Sequence, residues 1–125
     1  MARKLAWMGS SRKDFSGFPE KVKFDMMLAL SLAQDGRKAL HAKPLVGFSG
    51  ASVLEIVERD PSGTYLCVYT VKFPTAVYIL HAFQKKSRKG IATPKEDIEM
   101  IKHRFKRASE NDAEIVDREK KREGL

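Results

Sequence analysis

Residues 80–107 read LHAFQKKSRKGIATPKEDIEMIKHRFKR. This stretch runs from an apolar strand pattern through a cluster of cations into a helix pattern. Four cations fall within five positions at the predicted end of the strand, namely Lys85, Lys86, Arg88 and Lys89. Because the strand end fixes where these side chains begin, their charged heads are free to meet a polyanion at a defined place. The stretch therefore predicts a phosphate-binding surface on a strand-to-helix connection.

The helix that follows has a marked start and one apolar side. Thr93, Pro94 and Glu96 form a capping box with proline at the first helical position. Apolar residues then recur at helical spacing and predict a narrow stripe that packs on a sheet. The stripe consists of Ile98, Ile101, Phe105 and Ala108.

The upstream sequence supplies strands and two further helical stretches. Helix signals begin at Ser11 and Pro19 and end at Asp35-Gly36, which predicts a helical hairpin or one bent helix, and residues 37–50 are expected to form a loop. Alternating runs predict a short strand over 4–8 and an antiparallel meander over 52–58, 64–73 and 76–85. The fold class is therefore α/β (α+β), with an N-terminal helical hairpin on one face of a small antiparallel sheet and a C-terminal helix.

Alternation also divides the strand residues between the two faces of the sheet. The face toward the early helices is predicted to carry Leu54, Ile56, Tyr65, Cys67, Tyr69, Val71, Phe73, Val77, Ile79, His81 and Phe83. The opposite face, an open basic groove beyond the last helix, is predicted to carry Glu55, Leu66, Val68, Thr70, Lys72, Tyr78, Gln84 and Lys86. On this pattern His81 is expected to be a hydrogen-bonded core histidine.

Composition narrows the class of protein. The 125 residues include 42% hydrophobic residues, enough for one core, and carry a formal net charge of +8. That balance favours nucleic acid, the ribosome or an acidic protein as partner; solubility alone is the alternative explanation. Nine of the 24 Lys and Arg residues lie in 85–107, so the charge is focused. The single cysteine, Cys67, excludes an intramolecular disulfide and is expected to be a small buried residue rather than a nucleophile.

The ends of the chain carry no targeting or packing signal. No signal peptide or membrane-span pattern is present, so we expect a cytoplasmic protein without a membrane partner. From residue 110 the sequence has almost no apolar content. We therefore expect a folded domain over 1–109 and a charged tail over 110–125 that is a frayed helix or disordered.

The general enzyme templates do not fit. The sequence lacks a glycine-rich phosphate loop, a nucleophile elbow and a cysteine-histidine metal pattern, so no metal or organic cofactor is expected. Cleavage of RNA through its own 2′-hydroxyl needs only a proton acceptor, cations around the phosphate and a proton donor. Lys85, Lys86, Arg88 and Arg59 could supply the charge, and Glu55 or a lysine could move protons. Ordinary solvated charge is the alternative interpretation of each position.

One family resemblance accounts for most of these features. The pattern Tyr65-Leu-Cys-Val-Tyr69, then Leu80-His-Ala-Phe-Gln-Lys-Lys86, Thr93-Pro94, Ile98 and Arg104 resembles the RelE/ParE superfamily of bacterial toxins, in its phage-derived, HigB-like branch. The resemblance covers roughly residues 3–108. It implies a type II toxin-antitoxin toxin, typically a ribosome-dependent endoribonuclease that cuts messenger RNA and is silenced by a cognate antitoxin, often a HigA-like helix-turn-helix protein.

The resemblance also implies site residues. It assigns catalytic roles to Lys86, Lys85, Glu55 and Arg59. RNA binding is assigned, from the resemblance and the open groove together, to Lys85, Lys86, Arg88, Lys89, Lys72 and Gln84. Tyr65 and Tyr69 match aromatic positions that flank an arginine in related toxins, but Leu66 occupies the arginine position here.

Three functional hypotheses follow from the sequence. The first is a toxin that binds the ribosome and cleaves messenger RNA. The second, suggested by Leu66 and by the lack of a C-terminal tyrosine or histidine, is a weakened relative that binds antitoxin or RNA without cleavage. The third is a ParE-like inhibitor of DNA gyrase, which shares the fold but uses other surface residues.

Overall fold

The computed structural model describes residues 2–48, 52–85 and 93–124. Within these ranges the chain forms five strands and three helices around one central sheet. In chain order they are β1 (Lys4–Trp7), α1 (Ser11–Ser16), α2 (Glu20–Gln34), β2 (Lys43–Pro44), β3 (Val53–Asp60), β4 (Gly63–Thr70), β5 (Ala76–Lys85) and α3 (Lys95–Arg122). The predicted mixed α/β fold is confirmed.

The sheet has the strand order β1-β5-β4-β3-β2. Strands β3, β4 and β5 form the predicted antiparallel meander. Strand β1 lies beside β5 in parallel, with Leu5 opposite Val77. The predicted loop over 37–50 also contains the two-residue strand β2, in which Lys43 lies opposite Glu55.

Helices α1 and α2 cover one face of the sheet. Helix α2 buries Val22, Met26 and Leu30 at helical spacing, and these side chains pack on the sheet residues Ile56 and Cys67. This face also holds a chain of tilted aromatic contacts, in which neighbouring ring centroids lie 4.8–5.6 Å apart. The chain runs through Trp7, Phe15, Phe18 and Tyr65.

Helix α3 covers part of the opposite face with the predicted stripe. Ile101 and Ala108 are fully buried, and Ile98 and Phe105 are packed against the same cluster. The predicted capping box is wrong, because the helix begins at Lys95 with Pro94 as its cap residue and no side-chain cap hydrogen bond. Thr93 therefore stands one residue too early to cap the first turn. In the part of the chain that the structure describes, no helix is long and apolar enough to cross a membrane.

A β-bulge reverses the predicted facing of the last part of β5. The register with β4 shifts at Val68 and Tyr69, which lie opposite His81 and Ile79, so Leu80 is an extra residue. Because each added residue exchanges the two sides of a strand, His81 and Phe83 lie on the α3 face and Gln84 lies on the α1–α2 face. The alternation rule predicted the reverse for all three.

Phe73 is a second correction to the predicted faces. It belongs to the cluster under α3, although alternation assigned it to the early helices. Strand β4 ends at Thr70, so alternation does not extend to Phe73.

Helix α3 continues past residue 109, where the sequence predicts a frayed or disordered tail. It runs without a break to Arg122. Asp112 is 4% exposed and accepts hydrogen bonds from the Thr75 backbone N–H at 3.1 Å, from the Thr75 hydroxyl and from the Tyr78 hydroxyl at 3.2 Å. The packed part of the chain thus includes Asp112, because its partners lie at the start of β5.

Candidate functional site

The predicted catalytic residues Glu55, Arg59 and Lys85 lie on one face of the sheet. Arg59 is opposite Thr64 in β4, and Thr64 is opposite Lys85 in β5, so these side chains form one row across three strands. Directly opposed residues share a face, and two strand spacings put the Arg59 and Lys85 backbones about 10 Å apart. The face that carries Glu55, Arg59, Leu66 and Lys85 is called the site face below.

Glu55 lies four residues before Arg59 on β3, in a row with Lys43 and Val68. Partial burial raises the pKa of the Glu55 carboxyl above its usual value near 4.5, and the positive charges of Lys85 and Lys43 oppose that rise. A half-buried carboxyl with a raised pKa can exchange protons nearer to neutral pH than a solvated one. The site face thus combines two cations, Arg59 and Lys85, with a candidate proton carrier, Glu55.

The centre of the site face is apolar. Between the rows of Arg59 and Glu55 lies a third row, in which Val57, Leu66 and Phe83 are opposed. Leu66 is only 3% exposed. The position at which related toxins are expected to carry an arginine is therefore a buried position between two hydrophobic neighbours, and not an open groove.

His81 lies on the site face, in the row of Glu55 and Val68, and belongs to a polar network that the sequence reasoning missed. Its Nε2 lies 2.7 Å from Asp97 Oδ1, and its Nδ1 lies 3.3 Å from Arg104 Nη1. Arg104 also donates to the Leu80 carbonyl oxygen at 3.0 Å and to the Ser10 hydroxyl at 3.3 Å. The expectation of a hydrogen-bonded core histidine is confirmed, and the network joins β5, α3 and the segment before α1.

The sequence contained one signal for this network. Asp97 and Arg104 are seven residues apart, two helical turns, and therefore lie on the same side of α3. Gly9 has φ = +54° and leaves room for the arginine, since a Cβ there would lie 2.6 Å from Arg104 Nε. Without the bulge in β5, His81 would have faced away from α3, so the pairing was not predictable from periodicity.

The remaining predicted residues are spread over the molecule. Gln84 lies on the α1–α2 side and donates from Nε2 to the Ser62 carbonyl oxygen at 3.0 Å. Lys72 lies beyond the end of β4, with its Nζ 5.5 Å from the centre of the Phe105 ring. Neither residue is on the rows of the site face. Lys86, Arg88 and Lys89 lie outside the described residues.

Three reactive side chains in the strands lie in the α1–α2 core, away from the site face. Burial raises the pKa of the Cys67 thiol to about 12, which leaves it a poor nucleophile. Burial likewise raises the pKa of Tyr69 to about 12, and its hydroxyl has no hydrogen-bond partner among the described residues. Tyr65 packs on Phe18, and its hydroxyl lies 2.7 Å from that of Ser62. We assign none of the three to the candidate site.

Comparisons with solved structures identify the fold. The Escherichia coli toxin RelE, as an arginine-to-alanine double mutant in the free state, is similar with a TM-score of 0.55 at 17% sequence identity, covering 86% of this chain and 98% of that chain. The toxin-antitoxin complex RelBE2 from Mycobacterium tuberculosis is more distant, with a TM-score of 0.40 at 20% identity, covering 70% of this chain and 95% of that chain. The fold is RelE-like, as the resemblance predicted.

Sequence comparison identifies the family. No curated protein matches the sequence significantly. A family model described as phage-derived protein Gp49-like (DUF891) matches residues 13–106. Because that match covers most of the 125 residues, the chain belongs to the phage-derived Gp49-like family.

Proposed function

We propose that this protein is the toxin of a type II toxin-antitoxin system and that it cleaves messenger RNA bound to the ribosome. The observation that carries the proposal is the row of Arg59, Thr64 and Lys85 on the site face, with Glu55 on the same face. Membership of the Gp49-like family and the RelE-like fold support the same function.

The charges of the site face suit a strand of nucleotides better than a single small ligand. The backbones of Arg59 and Lys85 are about 10 Å apart across the sheet, and the backbone of Glu55 lies about 13 Å from that of Arg59 along β3. The charges lie closer together than the backbones, because the positive charge of Lys85 acts on the Glu55 carboxyl. A phosphodiester near Arg59 and Lys85 would have two cations to stabilise the charge that develops during attack by the 2′-hydroxyl. In this proposal the neighbouring nucleotides of the bound RNA extend over the apolar row of Val57, Leu66 and Phe83.

Glu55 is the proposed proton acceptor. Burial raises the pKa of the Glu55 carboxyl, which makes its carboxylate a stronger base than that of a solvated glutamate. Lys85 then supplies positive charge and a proton for the leaving 5′-oxygen. In this scheme Glu55 accepts the proton of the RNA 2′-hydroxyl, and Lys85 donates a proton to the leaving 5′-oxygen.

A second candidate function is binding without cleavage. The observation that favours it is the apolar row of Val57, Leu66 and Phe83, because none of the described residues at the centre of the site face is a cation. One missing charge-stabilising donor costs about 2.7–4 kcal/mol of transition-state stabilisation. A protein with this deficit would retain RNA or antitoxin binding and cut transcripts slowly or not at all.

The proposal also includes partners. They are the ribosome with its messenger RNA in the cytoplasm, and a cognate antitoxin, for which a HigA-like helix-turn-helix protein is our expectation. A net charge of +8 suits both a polyanionic partner and an acidic inhibitor.

Induction of the protein in growing cells tests the proposal. We expect growth arrest, with transcripts cut in translated regions and left intact when translation is blocked. Arg59→Ala with Lys85→Ala should relieve the arrest, whereas Lys121→Ala, at the far end of α3, should not. Arrest with intact transcripts would exclude the nuclease activity, and arrest with DNA damage signalling would point to gyrase instead.

A further inference from the structure

The bulge in β5 places three side chains in a line along that strand on the site face. After the bulge, alternate residues share a face, so His81, Phe83 and Lys85 follow one another on the same side. Phe83 lies between the other two, with neighbouring backbones about 7 Å apart. Its ring packs on the cluster under α3 but stays partly exposed. An aromatic ring thus stands beside one of the two cations of the site face.

One face of the Phe83 ring is covered. His81 stacks on it, with ring centroids 4.6 Å apart and an angle of 20° between the ring planes. Because His81 comes two residues earlier on the strand, it covers the ring face that points toward the start of β5, and the opposite face points toward Lys85. His81 and the cluster under α3 occupy the other sides of the ring, so its exposed part lies toward Lys85.

The plane of the Phe83 ring is held by a fixed neighbour. His81 is 6% exposed, and both of its ring nitrogens have partners, since Nε2 lies 2.7 Å from Asp97 Oδ1 and Nδ1 lies 3.3 Å from Arg104 Nη1. The imidazole cannot turn away from Phe83 without losing these contacts. A ring that is already oriented loses little conformational freedom when a second flat group stacks on it.

The cations beside Phe83 indicate which flat group this is. Arg59 and Lys85 belong to the row next to that of Phe83, with Thr64 between them. Under the proposed function this row holds a phosphate of the bound RNA, and the base of the same nucleotide is within reach of Phe83. Proteins that bind single strands combine a cationic groove with aromatic side chains on which bases stack. A nucleotide uses both the charge and the ring, whereas a phosphate or carboxylate alone would use only the charge.

We propose that Phe83 is the stacking platform for one nucleobase of the bound RNA and that His81 is the positioning residue behind it. The inference rests on the proposed function in one respect, that RNA lies across the site face. Stacking depends on ring area rather than on the edges of the base, so a purine is favoured over a pyrimidine at this position. Phe83 therefore contributes a base preference, and Arg59 and Lys85 contribute affinity that is independent of sequence.

Binding of an RNA analogue that cannot be cleaved tests the proposal. Short 2′-O-methyl oligonucleotides lack the attacking hydroxyl, and three of equal length are compared, in which every base is adenine, uracil or absent. Fluorescence anisotropy at low salt should show that wild type binds the adenine form about tenfold more tightly than the abasic form, with the uracil form between them. Phe83→Leu should remove most of this difference and leave the affinity for the abasic form unchanged, because both cations remain.

Matched variants separate stacking from other effects. Phe83→Trp should keep the adenine preference, since an indole ring also stacks on bases. Phe24→Leu removes an aromatic ring that is 66% exposed on α2, on the other side of the sheet, and should leave all three affinities unchanged. Lys85→Ala should weaken the binding of all three forms by a similar factor. If Phe83→Leu does not fold, Phe83→Met takes its place.

Asp97→Ala tests the role of His81. Loss of the Asp97 carboxylate allows the imidazole to turn, so the adenine preference should fall while the affinity for the abasic form stays the same. A residue that only stabilised the fold would change neither quantity in a folded variant. Glu96→Ala is the control and should keep the preference. Circular dichroism melts check that each variant is folded.

Three results would overturn the proposal: equal affinity of wild type for the three forms, an adenine preference that survives in the folded Phe83 variant, or no binding of any form at low salt. An unchanged preference in folded Asp97→Ala would overturn the positioning role of His81. Failure of the proposed function gives a different pattern. Base-dependent binding through Phe83, together with uncut messenger RNA on ribosomes, would refute cleavage and leave the stacking site in place.

Discussion

Arg104 donates a hydrogen bond from Nη1 to Nδ1 of His81, at 3.3 Å. A guanidinium is always a donor, so Nδ1 of the imidazole is the acceptor, and the single proton of a neutral ring lies on Nε2, where it meets Asp97 at 2.7 Å. The ring of His81 also stacks on Phe83, with centroids 4.6 Å apart. Through His81, an arginine and an aspartate two turns apart on α3 hold the bulge of β5 next to the site face.

Asp97→Ala should lower the free energy of unfolding by about 1–3 kcal/mol, because it leaves the buried Nε2–H of His81 without an acceptor. Asp97→Asn should cost less, since its amide oxygen can still accept. Chemical denaturation of both variants beside Glu96→Ala, an exposed neighbour, measures the difference. Equal stability of Asp97→Ala and Glu96→Ala would show that the network does not stabilise the fold.

Glu55→Gln should make stability less dependent on pH. The folded-state pKa of Glu55 is raised, so its contribution to stability is fully present below the unfolded pKa near 4.5 and is lost as the pH rises through the folded pKa. The variant should therefore be more stable than wild type at pH 7–8, and the difference should shrink as the pH falls toward 4. Thermal melts at matched ionic strength check the sign; a variant that is less stable at neutral pH would contradict it.

Leu66→Arg should have two opposed effects. Leu66 is buried between Val57 and Phe83, so we expect the free energy of unfolding to fall by about 1–3 kcal/mol despite the long arginine stem. In the folded variant, a guanidinium on the site face should speed cleavage on the order of a hundredfold. Leu66→Gln is the control of similar reach without charge, and cleavage no faster with arginine than with glutamine would mean that another residue already supplies this charge.

Truncation should distinguish two parts of α3. A chain that ends at residue 112 retains the hydrogen bonds of Asp112 to Thr75 and Tyr78, and we expect it to melt close to wild type. A chain that ends at residue 109 leaves those donors without an acceptor and should lose about 2–3 kcal/mol. Asp112→Ala in the full chain should reproduce the loss, whereas Asp117→Ala, on the exposed part of α3, should not. Equal melting temperatures of the two truncated chains would mean that the residues after 109 do not stabilise the fold.

Local patterns predicted what depends on local structure. The helix over Glu20–Gln34, the meander and the stripe of Ile98, Ile101 and Phe105 all follow from periodicity and turn residues. Glu55 was placed on the right face because β3 alternates without interruption. These features require no information from distant parts of the chain.

The errors arise where distant contacts decide the structure. The extra residue at Leu80 has no compositional signal, yet it exchanges the facing of His81, Phe83 and Gln84. In the sequence, Asp112 is one of many charged residues in a stretch predicted to be solvated. In the fold, it accepts hydrogen bonds from Thr75 and Tyr78. The burial of Leu66 was likewise not predictable from local sequence, because it depends on neighbours in two other strands.

Single-turnover cleavage of messenger RNA on programmed ribosomes tests the central claim most directly. Wild type should cut the message in the ribosome and leave free RNA intact, Arg59→Ala and Lys85→Ala should each slow the cut by on the order of a hundredfold, and Lys121→Ala should match wild type. All four proteins should have the same melting temperature within about 3 °C. Cleavage that is unchanged in folded Arg59→Ala and Lys85→Ala, or absent in wild type, would contradict the assignment of the site face as a nuclease site.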